Sequence, residues 1–338
     1  MRIFLTGGAG FIGSNFIRYV MANTDDVRIT NFDKLTYAGN PANLADLADD
    51  PRYDFIQGDI CDAQHVAEAV QGHDAIVNFA AESHVDRSIT GGAEFMVANV
   101  VGAQTVFDVA RKAEITNVLH ISTDEVYGSV AEPDSFAEGD PLEPNSPYSV
   151  SKAAADLLAR AYGVTYDFPI TVTRTANNFG PYHYPEKVIP LFVTNLIDGG
   201  TVPLYGEGLN VRDWTYVIDN AAAQWLVLTK GTPGEVYNVG AGNEVTNKQL
   251  TYAILERFGL TGDAADQRIR FVADRPGHDL RYSVDTRKIR ALGWTPAHSF
   301  TEALDATVAW YRANEEWWRP LKAAGATDRR GLVGSGGK

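Results

Sequence analysis

The sequence predicts an α/β protein: a doubly wound parallel sheet, then a smaller mixed α/β lobe. Three observations predict it. The chain opens with a strand, a glycine-rich loop and a helix in direct succession. Short apolar runs then alternate with helical periodicity through the first half, the pattern of parallel strands joined by crossover helices. Beyond about residue 175 the periodicity turns patchy and the elements shorten, which suits excursions off the sheet.

The first element is the β-branched and aromatic run 2–6. Gly7-Gly8-Ala9-Gly10-Phe11-Ile12-Gly13 follows, and residues 14–21 carry Phe16, Ile17, Val20 and Met21 at helical spacing. Glycines in this context let a backbone approach a pyrophosphate, and the helix N-terminus then offers free N–H groups to the anion. The loop from Gly7 and Gly10 through Phe11, Ile12 and Gly13 is thus a candidate dinucleotide cradle of Rossmann type. Residues 27–32 form the second strand. Asp33 ends it, 20 residues past Gly13, where an acid takes the ribose hydroxyls of an adenosine and repels a 2′-phosphate. NAD is therefore favoured over NADP, with the adjacent Lys34 a weak counter-argument. The third strand, 52–57, leads to Asp59 and Ile60, which either flank an adenine or form a solvated turn.

The fourth strand, 74–79, runs into Ala80 and Ala81, small enough for a cofactor ring to approach. Ser83, His84, Asp86 and Arg87 follow at the carboxyl end of the sheet, where ligands bind in open α/β folds. His84 is a substrate contact or a plain loop residue. With no second His or Cys at ligand spacing, it predicts no metal site. Residues 92–113 read as one long helix. The fifth strand, 118–122, ends in Thr123-Asp124-Glu125, two carboxylates at the mouth of a sheet, where burial is costly unless chemistry uses them. Pro147 follows Ser146, a good N-cap with a good first helical residue. Tyr148 and Lys152 are four apart and share a helix face. The lysine is expected to lower the phenol's pKa and make Tyr148 an acid/base.

Composition bounds the function. The chain has 338 residues, 45% hydrophobic and 21% charged, with net charge −14. So acidic a chain argues against binding nucleic-acid phosphates. Cys61 is the only cysteine, which excludes an intramolecular disulfide and a cysteine-based metal site. The start shows no signal peptide and no apolar run is long enough for a bilayer, so a cytoplasmic protein without membrane association is expected. Three cations, Lys187, Arg212 and Arg275, sit in or beside Gly- or Pro-rich loops of the second half. Converged, they could hold a diphosphate.

These residues resemble the extended short-chain dehydrogenase/reductase superfamily through Gly7-x-x-Gly10-x-x-Gly13, the Ser122/Thr123 strand end and Tyr148-x-x-x-Lys152. Within it, residues 35–40, 80–88, 122–128 and 147–149 are similar to the dTDP-glucose 4,6-dehydratase family, and the likeness runs to about residue 320. The resemblance implies NAD as cofactor, dTDP-glucose as substrate and a homodimer built through the helices near 92–113 and 147–162. Cofactor contacts are expected from Thr36, Tyr148 and Lys152 as well as the positions above. Asn177, Tyr205, Asn247 and His278 are expected with the three cations around the nucleotide sugar. The implied reaction is oxidation at carbon 4, elimination of water across carbons 5 and 6, and hydride return to carbon 6. Tyr148 would be the base for oxidation, with Thr123 on the 4-hydroxyl. Lys152 would bind the nicotinamide ribose, Glu125 would be the carbon 5 base and Asp124 the acid. Spacing alone permits the opposite split of the two carboxyls. A nucleotide-sugar 4-epimerase, a UDP-glucuronate decarboxylase and a non-catalytic NAD-sensing module are the rival readings. The expected organisation is a dinucleotide domain over 1–175, a nucleotide-sugar lobe over 176–322 with returns to the main sheet, and an unstructured tail over 323–338.

Overall fold

The structure is a computed structural model describing residues 1–332. The strands in chain order are β1 (Arg2–Thr6), β2 (Arg28–Asp33), β3 (Tyr53–Gln57), β4 (Ala75–Asn78), β5 (Asn117–Thr123) and β6 (Thr171–Thr175). They continue as β7 (Asn177–Phe179), β8 (Val202–Tyr205), β9 (Val211–Tyr216), β10 (Val236–Val239), β11 (Glu244–Thr246) and β12 (Ile269–Val272). Seven form one sheet in the order β10-β6-β5-β4-β1-β2-β3, and every pairing in it is parallel. The order reverses between β1 and β4, which opens a crevice at their carboxyl ends.

Apolar side chains on both faces make the sheet a filling between two helical layers. One core gathers Ile3, Leu5, Phe16, Ile17, Val20 and Val227; the other gathers Phe4, Ile76, Val106, Phe107, Val118 and Ala159. Helix Val217–Lys230 packs on helix Phe11–Asn23, so the stretch from 217 to β10 returns to the sheet after the first excursion. The remaining lobe has its own core around Phe179, Phe192, Trp214, Leu250, Leu304, Tyr311 and Trp318. It holds the small sheets β11-β9-β7 and β12-β8.

One helix differs from expectation and the last is divided in two. The stretch 92–113 is helix Gly92–Met96, a π-helical turn Val97–Gly102 and helix Ala103–Lys112. The wide turn carries Asn99 inward, where it bonds Glu82 N (2.8 Å), Glu82 O (2.9 Å) and Ser151 Oγ (2.8 Å). The final helix divides at Asn314, whose φ of −123° and ψ of 44° are not helical. Helix Phe300–Ala313 ends there, and helix Glu315–Leu332 begins, burying Trp318 against Tyr311. That second helix extends into the segment expected to be unstructured; residues 333–338 lie outside the described residues. No described helix is long and apolar enough to cross a membrane.

Candidate active site

A single crevice of about 1950 Å³ runs over the carboxyl ends of the main sheet and under the second lobe. It brings together every candidate site residue read from the sequence, from Gly7 at one end to His278 at the other.

At the dinucleotide end, Gly7 has φ +75° and a Cβ there would meet Ala80 N at 2.5 Å. A Cβ on Gly13 would meet Gly7 O at 2.4 Å. Glycine at these positions is therefore what allows the loop to turn and the helix to pack on it. Gly10 caps helix Phe11–Asn23 without a side-chain hydrogen bond, so its first N–H groups remain for an anion. Asp33 closes the loop: Oδ2 accepts from Ala9 N (2.9 Å) and Oδ1 from Leu35 N (2.8 Å). Burial pushes its carboxyl upward, against those two bonds. The sequence reading gave Asp33 to a ribose; the structure adds this backbone role. Lys34 pairs with Asp59 at 2.7 Å, so the two candidates partly neutralise each other. Uncapped N–H groups, glycines no side chain can replace and an acid at the end of β2 fit a dinucleotide.

The catalytic end is set by β5. Thr123 ends the strand and caps a 3-10 turn, Asp124–Tyr127, its Oγ1 accepting from Glu125 N at 3.3 Å. Arg174 clamps the turn from β6: Nη1 donates to the Tyr127 hydroxyl at 2.7 Å, and Nε donates to Asp156 Oδ2 at 2.7 Å. Asp124 is buried. Its Oδ1 accepts from Thr123 Oγ1 at 3.2 Å, while Oδ2 has no hydrogen-bond partner among the described residues. Burial, then the neighbouring Glu125 charge, pushes Asp124 up to about 8. Glu125 is half-buried and also raised by burial, but Arg212, Arg275 and Lys187 pull it back. The two carboxyls thus sit in different electrostatic surroundings, which spacing alone could not reveal.

Tyr148 and Lys152 stand on helix Pro147–Tyr166, which begins with a reciprocal Ser146–Ser149 capping box. The expectation that Lys152 lowers the phenol is corrected. Burial and the Glu125 charge push Tyr148 up, and only a Thr123 hydrogen bond opposes them appreciably. Lys152 is occupied elsewhere: Nζ donates to Ile121 O at 2.6 Å. Its burial lowers it to about 8, with Asp156 one turn on acting in the opposite sense.

At the far end the three cations act together on Glu125, and each also has partners within the protein. Arg212 donates to Val211 O (2.7 Å) and Asp279 O (2.9 Å) and lies over the Tyr282 ring at 4.0 Å. Arg275 pairs with Asp86 at 3.4 Å, and Lys187 Nζ donates to Ser83 O at 2.9 Å. His84 caps the short helix Val85–Thr90 and faces Glu186 at 3.7 Å. His278 Nδ1 bonds Asp274 Oδ1 at 2.6 Å, Tyr205 lies edge-on to its ring, and burial lowers its pKa. Asn177 Oδ1 is buried with no partner among the described residues, and Asn247 opens helix Asn247–Glu256. Sequence reasoning missed Tyr37, Tyr282, His183 and Glu186 as crevice residues. They occupy connections whose place only the tertiary fold decides, although Glu186 adjoins Lys187. Among the described residues no cluster of three or more His, Cys, Asp or Glu is arranged to hold a metal.

Fold and site together define the extended short-chain dehydrogenase/reductase class. The profile of the GDP-mannose 4,6 dehydratase family matches residues 4–307. A dTDP-glucose 4,6-dehydratase of Streptomyces niveus is 51% identical, with 96% of each chain covered. The structure of the dTDP-glucose 4,6-dehydratase DesIV of Streptomyces venezuelae, solved with NAD bound, superposes with a TM-score of 0.91 at 52% identity, covering 95% of this chain and 100% of that one. The chain belongs to the dTDP-glucose 4,6-dehydratase family. A UDP-glucose 4-epimerase of Thermotoga maritima shares the fold more distantly, with a TM-score of 0.84 at 28% identity, covering 93% of this chain and 99% of that one.

Proposed function

We propose that the protein converts dTDP-glucose to dTDP-4-keto-6-deoxy-glucose and water, using NAD that is regenerated in each cycle. The observation that carries this reading is the Asp124–Glu125 pair. Asp124 is buried and held protonated at neutral pH, beside Glu125, whose burial-raised pKa three cations pull back toward the ionised form. Dehydration needs such an acid and such a base, whereas a 4-epimerase needs neither.

When bound, NAD supplies the oxidant at carbon 4 and the reductant at carbon 6. Tyr148 takes the proton of the 4-hydroxyl while Thr123 holds that hydroxyl. Lys152 binds the nicotinamide ribose. The ketone at carbon 4 acidifies the proton on carbon 5. Glu125 removes it, and Asp124 donates its proton to the departing 6-hydroxyl. Gly7, Gly10, Phe11, Ile12, Gly13, Asp33, Lys34, Thr36, Asp59, Ile60, Ala80 and Ala81 hold the dinucleotide. Ser83, His84, Asn177, Lys187, Tyr205, Arg212, Asn247, Arg275 and His278 hold the nucleotide sugar. The division at about residue 175, with the dinucleotide on one side and the sugar nucleotide mainly on the other, follows from these assignments.

A homodimer is part of the proposal. Val97 and Val101, with Val150, Leu157 and Val164 at seven-residue spacing, are exposed on the two helical stretches that the family likeness points to. An apolar stripe at this spacing suits helix-on-helix packing between copies. The cytoplasm is the expected compartment.

Incubating the purified protein with dTDP-glucose tests the reading. A 4-keto-6-deoxy sugar absorbs strongly in alkali, and the absence of that signal would refute it. UDP-glucose and CDP-glucose run alongside to test the base.

A further inference from the structure

Residues 181–187 lie between β7 and helix Val188–Ile197 and belong to no sheet or long helix. They are nonetheless fastened at nearly every position. The Pro181 carbonyl accepts from Asn15 Nδ2 at 3.0 Å, on the helix that follows the glycine loop. Tyr182 adopts φ +66°, a strained conformation for a non-glycine residue, and carries the Arg18 guanidinium over its ring at 4.6 Å. The His183 ring stacks on Phe11, with centroids 4.0 Å apart and planes 8° apart. Tyr184 meets Tyr37 edge-on at 5.4 Å. Burial, and then the nearby Glu186 carboxylate, push the Tyr37 phenol upward. Arg87 joins the same group, over the Tyr37 ring at 3.9 Å and 3.4 Å from Glu186. Finally, Lys187 donates to Ser83 O.

These contacts fall on three separate walls: the start of the first helix, the loop after β2 and the loop after β4. All three bound the dinucleotide half of the crevice, and Tyr182, His183, Tyr184, Glu186 and Lys187 line that same crevice. A segment anchored on all three crosses its mouth. The fastenings are polar or aromatic contacts at half-buried positions, which can be broken without opening a hydrophobic core. Buried His183 Nδ1 has no hydrogen-bond partner among the described residues, so the strap also carries an unused polar atom at the crevice.

We propose that residues 181–187 form a strap that closes over the bound dinucleotide and sets how long it is retained, with Tyr37, His183 and Glu186 as its fastenings. The inference rests on the NAD-dependent reading above. In that reaction the hydride taken from a sugar must return to the same sugar. A reduced cofactor that escapes midway leaves a stranded ketone and an enzyme without oxidant. Slow release is thus a requirement of the chemistry, and the strap is the element of this chain that meets it.

The test follows NAD release from full-length holoenzyme loaded with adenine-labelled NAD and chased with excess unlabelled NAD. Tyr37→Phe removes one hydroxyl and leaves the ring beneath Arg87, so the fold is preserved. His183→Ala removes the stack on Phe11. Each is expected to release label about tenfold faster, the effect of one lost polar or ring contact. Turnover in both variants should also decline during an assay and recover on adding NAD. Wild-type release in both variants overturns the proposal. Fast release confined to His183→Ala, with a lowered melting temperature, overturns it too, because that reports general packing. Wild-type protein that binds no NAD would instead sink the underlying functional reading.

Discussion

Asp124→Asn should abolish dehydration and stabilise the folded chain at the same time. The carboxyl is pushed from 3.8 up to about 8, chiefly by burial. Between those values the folded state holds a proton that the unfolded state has released. The favourable protonated state is therefore fully present below about pH 4 and is lost as pH rises through 8. At pH 7 the perturbation costs the folded wild type about 4 kcal/mol, and at pH 5 only about 1–2 kcal/mol. An asparagine never ionises, so it escapes this cost at every pH. It does bury an amide where Oδ2 has no partner, a penalty of about 1–3 kcal/mol. The net expectation is little change near pH 5 and a gain of about 1–4 kcal/mol over pH 7–8, a rise of about 2–6 °C in melting temperature. Calorimetry of both holoenzymes at pH 5, 7 and 8 reads this directly, and the alkaline-absorbance assay reads the activity. A variant less stable than wild type at pH 8, or a difference that does not change with pH, would refute the argument that burial holds this acid protonated.

Glu125→Gln should separate the half-reactions: with dTDP-glucose, the absorbance of reduced nicotinamide should build up while no 6-deoxy product forms. Tyr148→Phe should lower turnover by about 10²–10⁴-fold and prevent that absorbance as well, because oxidation itself then lacks its base. In wild-type protein, activity should fall as pH rises through 8, where both Asp124 and Lys152 lose their protons; a flat profile to pH 10 would contradict both assignments. Replacing Val101 and Leu157 together by Asp should convert a dimer to a monomer in sedimentation, and an unchanged sedimentation coefficient would remove these helices from the interface.

The parts of the site that were legible in the sequence are those whose signal is local. Ser146 before Pro147 marks a helix start wherever it occurs, and Tyr148 and Lys152 then share a face by helical geometry alone. The glycine loop is likewise a strand, a turn and a helix in sequence order. The partnerships were not legible. Nothing in the spacing shows that Lys152 donates a hydrogen bond to Ile121 O, that Lys34 covers Asp59, or that His84 caps its own short helix. Nor does the pattern of 92–113 reveal its π turn, since Asn99 turns inward for the sake of Glu82 and Ser151, which lie on other elements. The contrast between Asp124 and Glu125 was invisible for the same reason. Their surroundings are assembled from Arg212, Arg275 and Lys187, far along the chain.

The most direct measurement uses dTDP-glucose deuterated at carbon 4. If this crevice oxidises carbon 4, removes water and returns the same hydride, the deuterium should appear at carbon 6 of the 4-keto-6-deoxy product made by the purified protein. Deuterium retained at carbon 4 of an epimerised or unchanged sugar, or missing from carbon 6 of the product, would contradict the account.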